Sequence, residues 1–520
     1  MPAAADRVSA RTWTAVIGAT IGAFMAILNI QLVGAALGDI RAGLGASPDD
    51  GAWVVTAYLV AEIVVIPLSS WLSRAFSLRR YLIANATLFL VFSVACAFAQ
   101  DLGQMIVLRI LQGLTGGVLI PMAFTLNMTL LPPSRQPTGL AAFSLAATFA
   151  PAVGPTVGGW LSATFGWHAV FLLNLAPGGL MLALLWVSLE RQPMRLDLLR
   201  QGDWLGIVSM AIGLGALQVV LEEGGREDWF DSPFITGLAA VAVAALALFV
   251  RTELRSSRPL LNLRLLARRN FGAGVTAMML VGAVSYGSTF VLPAYLARVQ
   301  GYDAQQIGEA LAWSALPQLM LIPLMPRLMR LVDARVLMVL GFALVASSSF
   351  MLVGLDAGVA ADQLLLPNVV RAVGQALAMT PLTVLATGGL DKADAGSASA
   401  LLNVMRNMGG AVGIAGLQTF LVERERFHVD VIGQSVSMFD EETRLYLGGL
   451  ARRLVEQGVV DPSVAWHKAV GIVAGMVREQ AFVMAVGDAF WLLGSALVLA
   501  LTAALLLKKP AVSSSAAAAD

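Results

Sequence analysis

Long apolar runs separated by short polar stretches repeat along almost the whole chain. The hydrocarbon of a bilayer is about 30 Å thick, so a helix that crosses it needs roughly 20 largely apolar residues. Fourteen runs of that kind lie near residues 13–36, 52–71, 81–99, 104–131, 138–163, 168–189, 204–221, 233–250, 271–297, 306–326, 335–355, 363–388, 396–421 and 481–507. Strands of a membrane barrel would be about 10 residues long and would alternate in polarity. These runs are longer and apolar on every face, so each predicts a spanning helix. Residues 422–480 break the rhythm. There FDEETRLYLGGLARRLVEQG has the period of an amphipathic helix, and a second helix-like stretch leads into the last run. The segment reads either as a solvated connector or as a surface on which a partner docks.

Composition supports the membrane reading. The chain is 58% hydrophobic and 13% charged, whereas soluble chains are about 45–50% apolar and about 25% charged. A soluble protein of 520 residues with this balance would have more apolar surface than its cores could hide. The net charge of +1 gives no reason to expect a nucleic-acid partner. A single cysteine, Cys96, excludes a disulfide within the chain. The opening MPAAADRVSARTW lacks the apolar core and small-residue cleavage site of a secretory signal, so the first run is expected to be an uncleaved anchor.

Lysine and arginine collect in the cytoplasmic loops of membrane proteins. With the N-terminus inside, the inner loops hold Arg74, Arg79, Arg80, Arg135, Arg191, Arg195 and Arg200. Further along they hold Arg251, Arg255, Arg258, Arg264, Arg268, Arg269, Arg327, Arg330, Arg335, Lys508 and Lys509. The short outer loops hold only Arg41, Arg226 and Arg298. Both termini are therefore expected in the cytoplasm, with residues 422–480 outside.

The fourth run reads VLRILQGLTGGVLIPMA and the twelfth VVRAVGQALAMTPLTVLA. Each has an early arginine (Arg109, Arg371), then glycine (Gly113, Gly374), then proline (Pro121, Pro381). The runs that follow are glycine-rich, FAPAVGPTVGGW and RNMGGAVGIAG, and the second and tenth runs end PLSSWLSRAFSLRR and PLMPRLMRLVDAR. Runs two, four and five thus recur as ten, twelve and thirteen. The expected architecture is all-α: a six-helix bundle in residues 1–190, two further helices in 191–270, and a second six-helix bundle in 271–520. Repeats of this kind mark secondary transporters, which bind substrate between their halves.

Three basic residues, Arg109, Arg371 and Arg406, sit well inside the runs, and Glu62 is the clearest embedded acid. Asp39, Glu309 and Asp488 lie nearer the ends. A charge at the bilayer centre costs about 2.5–3.5 kcal/mol on insertion scales, so such residues face the bundle interior or a watery cavity and default to functional candidates. At 1.5 Å per residue, Glu62 lies roughly 15 Å in from the outer end of its helix, Asn29 roughly 10 Å and Arg109 roughly 8 Å. Low dielectric favours the neutral form of a carboxyl group, and a nearby arginine favours the charged form. Glu62 reads either as a proton carrier or as a structural ion pair or hydrogen-bonded neutral acid. Gly154, Pro155, Gly158 and Gly159 suit a helix that packs closely and bends; Asn403 and Arg406 lie on the equivalent helix of the second half. No GxxxxGK[ST] phosphate loop, no HExxH and no metal spacing among His168, His428 and His467 are found. An ion gradient remains as the energy source, with no cofactor.

These residues resemble the fourteen-span drug:proton antiporters of the major facilitator superfamily, the EmrB/QacA type, over about residues 20–507. Arg109, Gln112 and Gly113 in LRILQG match the family's fourth-span motif. Gly154, Pro155, Gly158 and Gly159 match the fifth-span motif shared by antiporters, and GWHAVFLLNLAPG resembles the signature that follows it. DWFDS and the outer loop between the last two spans look like the subgroup that works with periplasmic adaptors. The resemblance implies export of amphipathic small molecules against proton entry by alternating access. Among the buried polar residues, Glu62 and Arg109 are the coupling candidates, and Asn29, Gln112, Arg371, Asn403 and Arg406 the cavity candidates. The resemblance also implies a bacterial inner membrane, a membrane-fusion adaptor and an outer-membrane channel. Two departures are visible. Asn29 stands where the family has an acid, so either Glu62 carries the coupling alone or coupling differs here. Ser73 and Ser77 stand where the loop after the second span has Asp and Gly. Three other readings stay open at the level of sequence: a dedicated exporter of one metabolite, siderophore or lipid; a membrane-embedded enzyme; and a non-transporting scaffold.

Overall fold

The hydroxyl of Ser9 accepts the amide of Thr12 at 3.1 Å and so caps the first long helix. The computed structural model describes residues 8–505 apart from 201, 257, 258, 315 and 438. Helices occupy all fourteen expected runs. They are α1 Ala10–Ala35, α2 Trp53–Phe76, α3 Leu78–Ala97, α4 Leu102–Leu130, α5 Gln136–Phe165, α6 His168–Ser188 and α7 Trp204–Glu223. Then come α8 Pro233–Arg255, α9 Arg269–Arg298, α10 Gln306–Leu331, α11 Ala334–Met351, α12 Ala361–Thr387, α13 Ala395–Ser435 and α14 Pro462–Leu505. Among the described residues, twelve are long and apolar enough to cross a membrane, thirteen with bent α5 taken as one span. The exception is α13, whose apolar stretch is diluted by Asn403, Arg406 and Asn407. Arg258, Lys508 and Lys509, part of the basis for the expected orientation, lie outside the described residues.

Packing repeats with the offset of eight. In the first group α1 lies on α4, α5 and α6, and α2 and α3 both lie on α4. In the second, α9 lies on α12, α13 and α14, and α10 and α11 both lie on α12. Between the groups α5 meets α10 and α13 meets α2, the same pairing with the roles exchanged. The inserted helix α7 touches α2 and α13, one from each group, while α8 packs on α7 and leaves most of its apolar surface exposed. Glycine makes the tightest contacts possible. A Cβ on Gly158 of α5 would lie 2.8 Å from the Leu32 carbonyl oxygen of α1, and one on Gly413 of α13 would lie 2.5 Å from that of Ala283 on α9.

Four elements differ from their expected form. α5 bends by 46° between Pro151 and Val153, where proline removes a backbone donor and crowds the preceding turn. α4 breaks at residues 117–118, the turn that precedes Pro121. α10, expected to be one continuous run, comes in short pieces separated near Pro317 and Pro323. The largest difference is at 422–480. α13 continues to Ser435, beyond the expected run, while α14 begins at Pro462, as the helix-like stretch leading into the last run predicted, so most of that segment belongs to two long helices. At 41 and 44 residues, they measure about 61 and 66 Å, roughly twice the hydrocarbon thickness. Glu423, Arg424, Glu425 and Arg426 end the apolar run without ending the helix, because hydropathy marks the edge of the membrane and not the end of helical hydrogen bonding. The amphipathic stretch forms the short helix Glu441–Glu456, capped by Asp440 and packed on α14.

Candidate functional site

The charge buried in α4 is met without an acid. Arg109 is fully buried; its Nε donates to the Val54 carbonyl at 2.9 Å, and its Nη1 to Asn29 Oδ1 at 2.8 Å and Gln112 Oε1 at 2.7 Å. The guanidinium also lies 4.2 Å from the centroid of the Tyr58 ring, a cation–π contact. Asn29, Arg109 and Gln112 are therefore brought together as one cluster. It keeps spare donors: Arg109 Nη2, Asn29 Nδ2 and Gln112 Nε2 are buried with no hydrogen-bond partner.

Among the described residues Glu62 makes no hydrogen bond to this cluster. It is 2% exposed and forms no salt bridge among the described residues. Its Oε1 accepts from Asn407 Nδ2 of α13 at 3.3 Å, and its Oε2 is buried with no partner. It lines a cavity of about 210 Å³ whose walls come from α1, α2, α4, α7, α9 and α13. Arg406 stands in the same wall, its Nε unpartnered, so the charge nearest in function to Glu62 belongs to the other half of the molecule. Gly117, at the break in α4, lets that helix press on the acid: a Cβ there would sit 2.9 Å from Glu62 Cγ.

The second half has its own polar lining. Arg371 donates to Asn368 Oδ1 at 2.9 Å and faces a cavity of about 80 Å³ together with Gln318, Gln375, Tyr286 and Arg406. Gln318 donates to Gln375 at 3.0 Å. Asn403 is turned back on its own helix, donating to the Ser399 carbonyl at 2.8 Å, and borders a void of about 20 Å³ beside Arg406. Arg406 thus borders all three spaces, and Tyr286 the two larger ones. Gly154, Pro155, Gly158 and Gly159 form no part of these walls; Gly154 and Gly158 are buried against α1, and Pro155 and Gly159 are half-buried. Asn407, Tyr286, Gln218 and Glu222 are cavity residues that the sequence does not single out. The one available signal was LQVVLEEGG, a pair of acids at the end of an apolar run.

Two helix groups of repeated packing that share the walls of one internal cavity have the architecture of a secondary membrane transporter. Residues 19–414 match the family described as the Major Facilitator Superfamily, and the chain belongs to it, a multi-pass membrane transporter and not an enzyme. It is 32% identical over 432 residues to the "Colistin resistance protein EmrB" of Acinetobacter baumannii, covering 83% of this chain and 84% of that one. To the "Multidrug export protein EmrB" of Haemophilus influenzae it is 29% identical over 476 residues, 91% of each. Among solved structures it resembles the proton:xylose symporter XylE, with a TM-score of 0.56 and 15% identity over 95% of both chains, a likeness of fold alone.

Proposed function

We propose that the chain is a fourteen-span, proton-driven exporter of amphipathic small molecules. It comprises a bundle at 1–190, two linker helices at 191–270 and a second bundle at 271–520, with both termini cytoplasmic. One observation carries the reading: Glu62 is buried, half-partnered and enclosed by helices of both groups. Any rocking of one group against the other changes what that carboxyl group meets. Protonated, it is a neutral donor to the cavity; ionised, it gains from Arg406 and from a cation arriving there. Proton and substrate then compete for one site, which couples their movements in opposite directions. Arg109 holds α1, α2 and α4 in register around the acid. Gln112 and Asn29 fix Arg109, Arg371, Asn403 and Arg406 line the substrate path, and the Gly154–Gly159 segment of α5 seals the seam.

The Haemophilus influenzae relative, named as a multidrug export protein, supports export as the direction, and the bacterial sources of both relatives fit an inner-membrane location. α13 crosses the bilayer as well, its polar residues facing the protein: Ser399, Asn403 and Arg406 are all buried. Residues 422–480 then stand outside and offer a docking surface for a membrane-fusion adaptor that leads to an outer-membrane channel. The test is Glu62→Gln in everted membrane vesicles at matched expression. Gradient-driven efflux is expected to vanish; full pH-dependent transport in the variant rejects Glu62 as the carrier.

A further inference from the structure

The last turn of α8 carries a buried acid. Glu253 is 2% exposed and forms no salt bridge among the described residues. Its two oxygens accept the backbone amides of Leu260 and Leu261 instead, both at 3.2 Å. Charge-assisted bonds of this kind are the strong ones, and they fix the chain that donates them. The next residue reaches the opposite way. Asn262 donates its backbone amide to Ser397 Oγ at 3.2 Å and its side-chain amide to Asp394 Oδ1 at 3.0 Å. Ser397 lies in the first turn of α13 and Asp394 just before it. Residues 260–262 therefore join the end of α8 to the start of α13.

α8 is joined to the first helix group in turn through α7. Asp203 caps α7 by accepting the Gly206 amide at 2.9 Å. A Cβ on Gly206 would lie 2.8 Å from Asp203 Oδ2 and 3.2 Å from Glu253 Oε1, so the absence of a side chain lets α7 begin beside Glu253. A Cβ on Gly202 would lie 2.7 Å from the Trp71 ring of α2, which Trp204 also meets edge to face, with centroids 5.8 Å apart. The connection thus runs from α2 through α7, α8 and residues 260–262 to α13, and it borders a cavity of about 260 Å³ lined by Trp71, Arg74, Asp203 and Leu260. Beside it the two groups touch directly. A Cβ on Gly396 of α13 would lie 2.6 Å from Ser70 Cβ of α2, and Ser399 Oγ donates to the Pro121 carbonyl of α4 at 2.9 Å. Among the described residues no salt bridge joins α13 to α2 or α4.

We propose that residues 260–262 form a strap across this seam and that Glu253 is the positioning residue that holds it. The inserted helices then govern how readily the groups part where α13 begins, in addition to filling space between them. The proposal rests on the transport reading for its purpose, but not for its test.

The test follows the seam at Ser70, which Gly396 covers. In full-length protein carrying Ser70→Cys, modification by N-ethylmaleimide is timed by mass spectrometry, with the native, buried Cys96 as the reference. Adding Glu253→Gln turns an amide donor toward one of the two backbone N–H groups. It is expected to speed labelling at position 70 at least fivefold and to leave Cys96 within twofold. Asn262→Ala, which frees the far end of the strap without touching the buried acid, is expected to do the same. The two attachments act in series, so losing either releases the strap. The double variant should therefore label no more than twofold faster than the faster single one, a departure from additivity that independent stabilising contacts would not show. An unchanged rate at position 70 in either single variant, a matching rise at Cys96, or effects that multiply in the double variant overturns the proposal. Efflux in Glu62→Gln decides the coupling role separately, since these labelling rates require no transport.

Discussion

Arg109 and Glu62 show two ways of keeping a charge inside apolar helices. Arg109 is surrounded by carbonyl oxygens and a ring, all from the first helix group, so it cements that group internally. Glu62 is met by Asn407, 345 residues away on α13, and so belongs to the contact between groups. Sequence marks both residues, because an ionisable side chain in an apolar run stands out. It does not mark their partners, since Asn407, Tyr286 and Glu222 are ordinary polar residues until α9, α13 and α7 are packed around the acid. The orphaned donors near Arg109 give a prediction. Asn29→Asp replaces an unpartnered amide nitrogen with a carboxylate oxygen and supplies Arg109 with a counter-ion. Thermal unfolding of the purified protein should show a gain of about 2 kcal/mol, the scale of a hydrogen bond to a charged group. A lowered midpoint would mean that the carbonyl oxygens already compensate the guanidinium.

Helices as elements were largely legible, because length and hydropathy fix where apolar chain must be helical. Their irregularities were not: a proline in a run announces a disturbance, but whether it bends α5 or fragments α10 depends on neighbours that fill the gap. The junction after α2 makes the same point. Ser77 has φ of 70° and its buried hydroxyl has no partner, a left-handed backbone that favours glycine. Ser77→Gly should therefore stabilise the protein by about 1 kcal/mol, seen as a higher unfolding midpoint with transport retained. In α5 the opposite is expected. Gly158→Val would place a side chain against the Leu32 carbonyl and cost about 1–3 kcal/mol by overpacking; efflux should fall while the expressed amount holds. Outside the spans, Asp440 caps the helix Glu441–Glu456. The backbone amide and then the hydroxyl of Thr443 hold its carboxyl below the ordinary value of 3.8. A depressed acid contributes its full stabilisation above its unfolded value and loses it as pH falls through its folded value. Hydrogen exchange in this helix should thus quicken relative to α13 only below about pH 4, a threshold set by the ordinary aspartate value.

At the scale of the whole molecule, the two groups meet through matched pairs, α5 with α10 and α2 with α13, with α7 bound to both sides of the second pair. In the proposed function, recognition and coupling need only this membrane part. The helix Glu441–Glu456 should therefore be dispensable for transport by purified protein in proteoliposomes. Replacing it with a short flexible linker is expected to leave vesicle transport within twofold and, if this helix is the proposed adaptor-docking surface, to abolish resistance of whole cells. Equal loss in both assays would assign the helix to folding instead. The length of α13 has one more implication. Its inner segment carries Arg406 and Asn407 at the cavity, and its far segment is tied to α14 where Arg424 and His428 both contact Asp488, at 2.6 and 2.7 Å. A stiff rod about 60 Å long that pivoted near the acid would act as a lever. A swing of a few degrees within the lipid would move its free tip through an arc of several ångströms, so whatever grips that tip would sense which way the cavity faces.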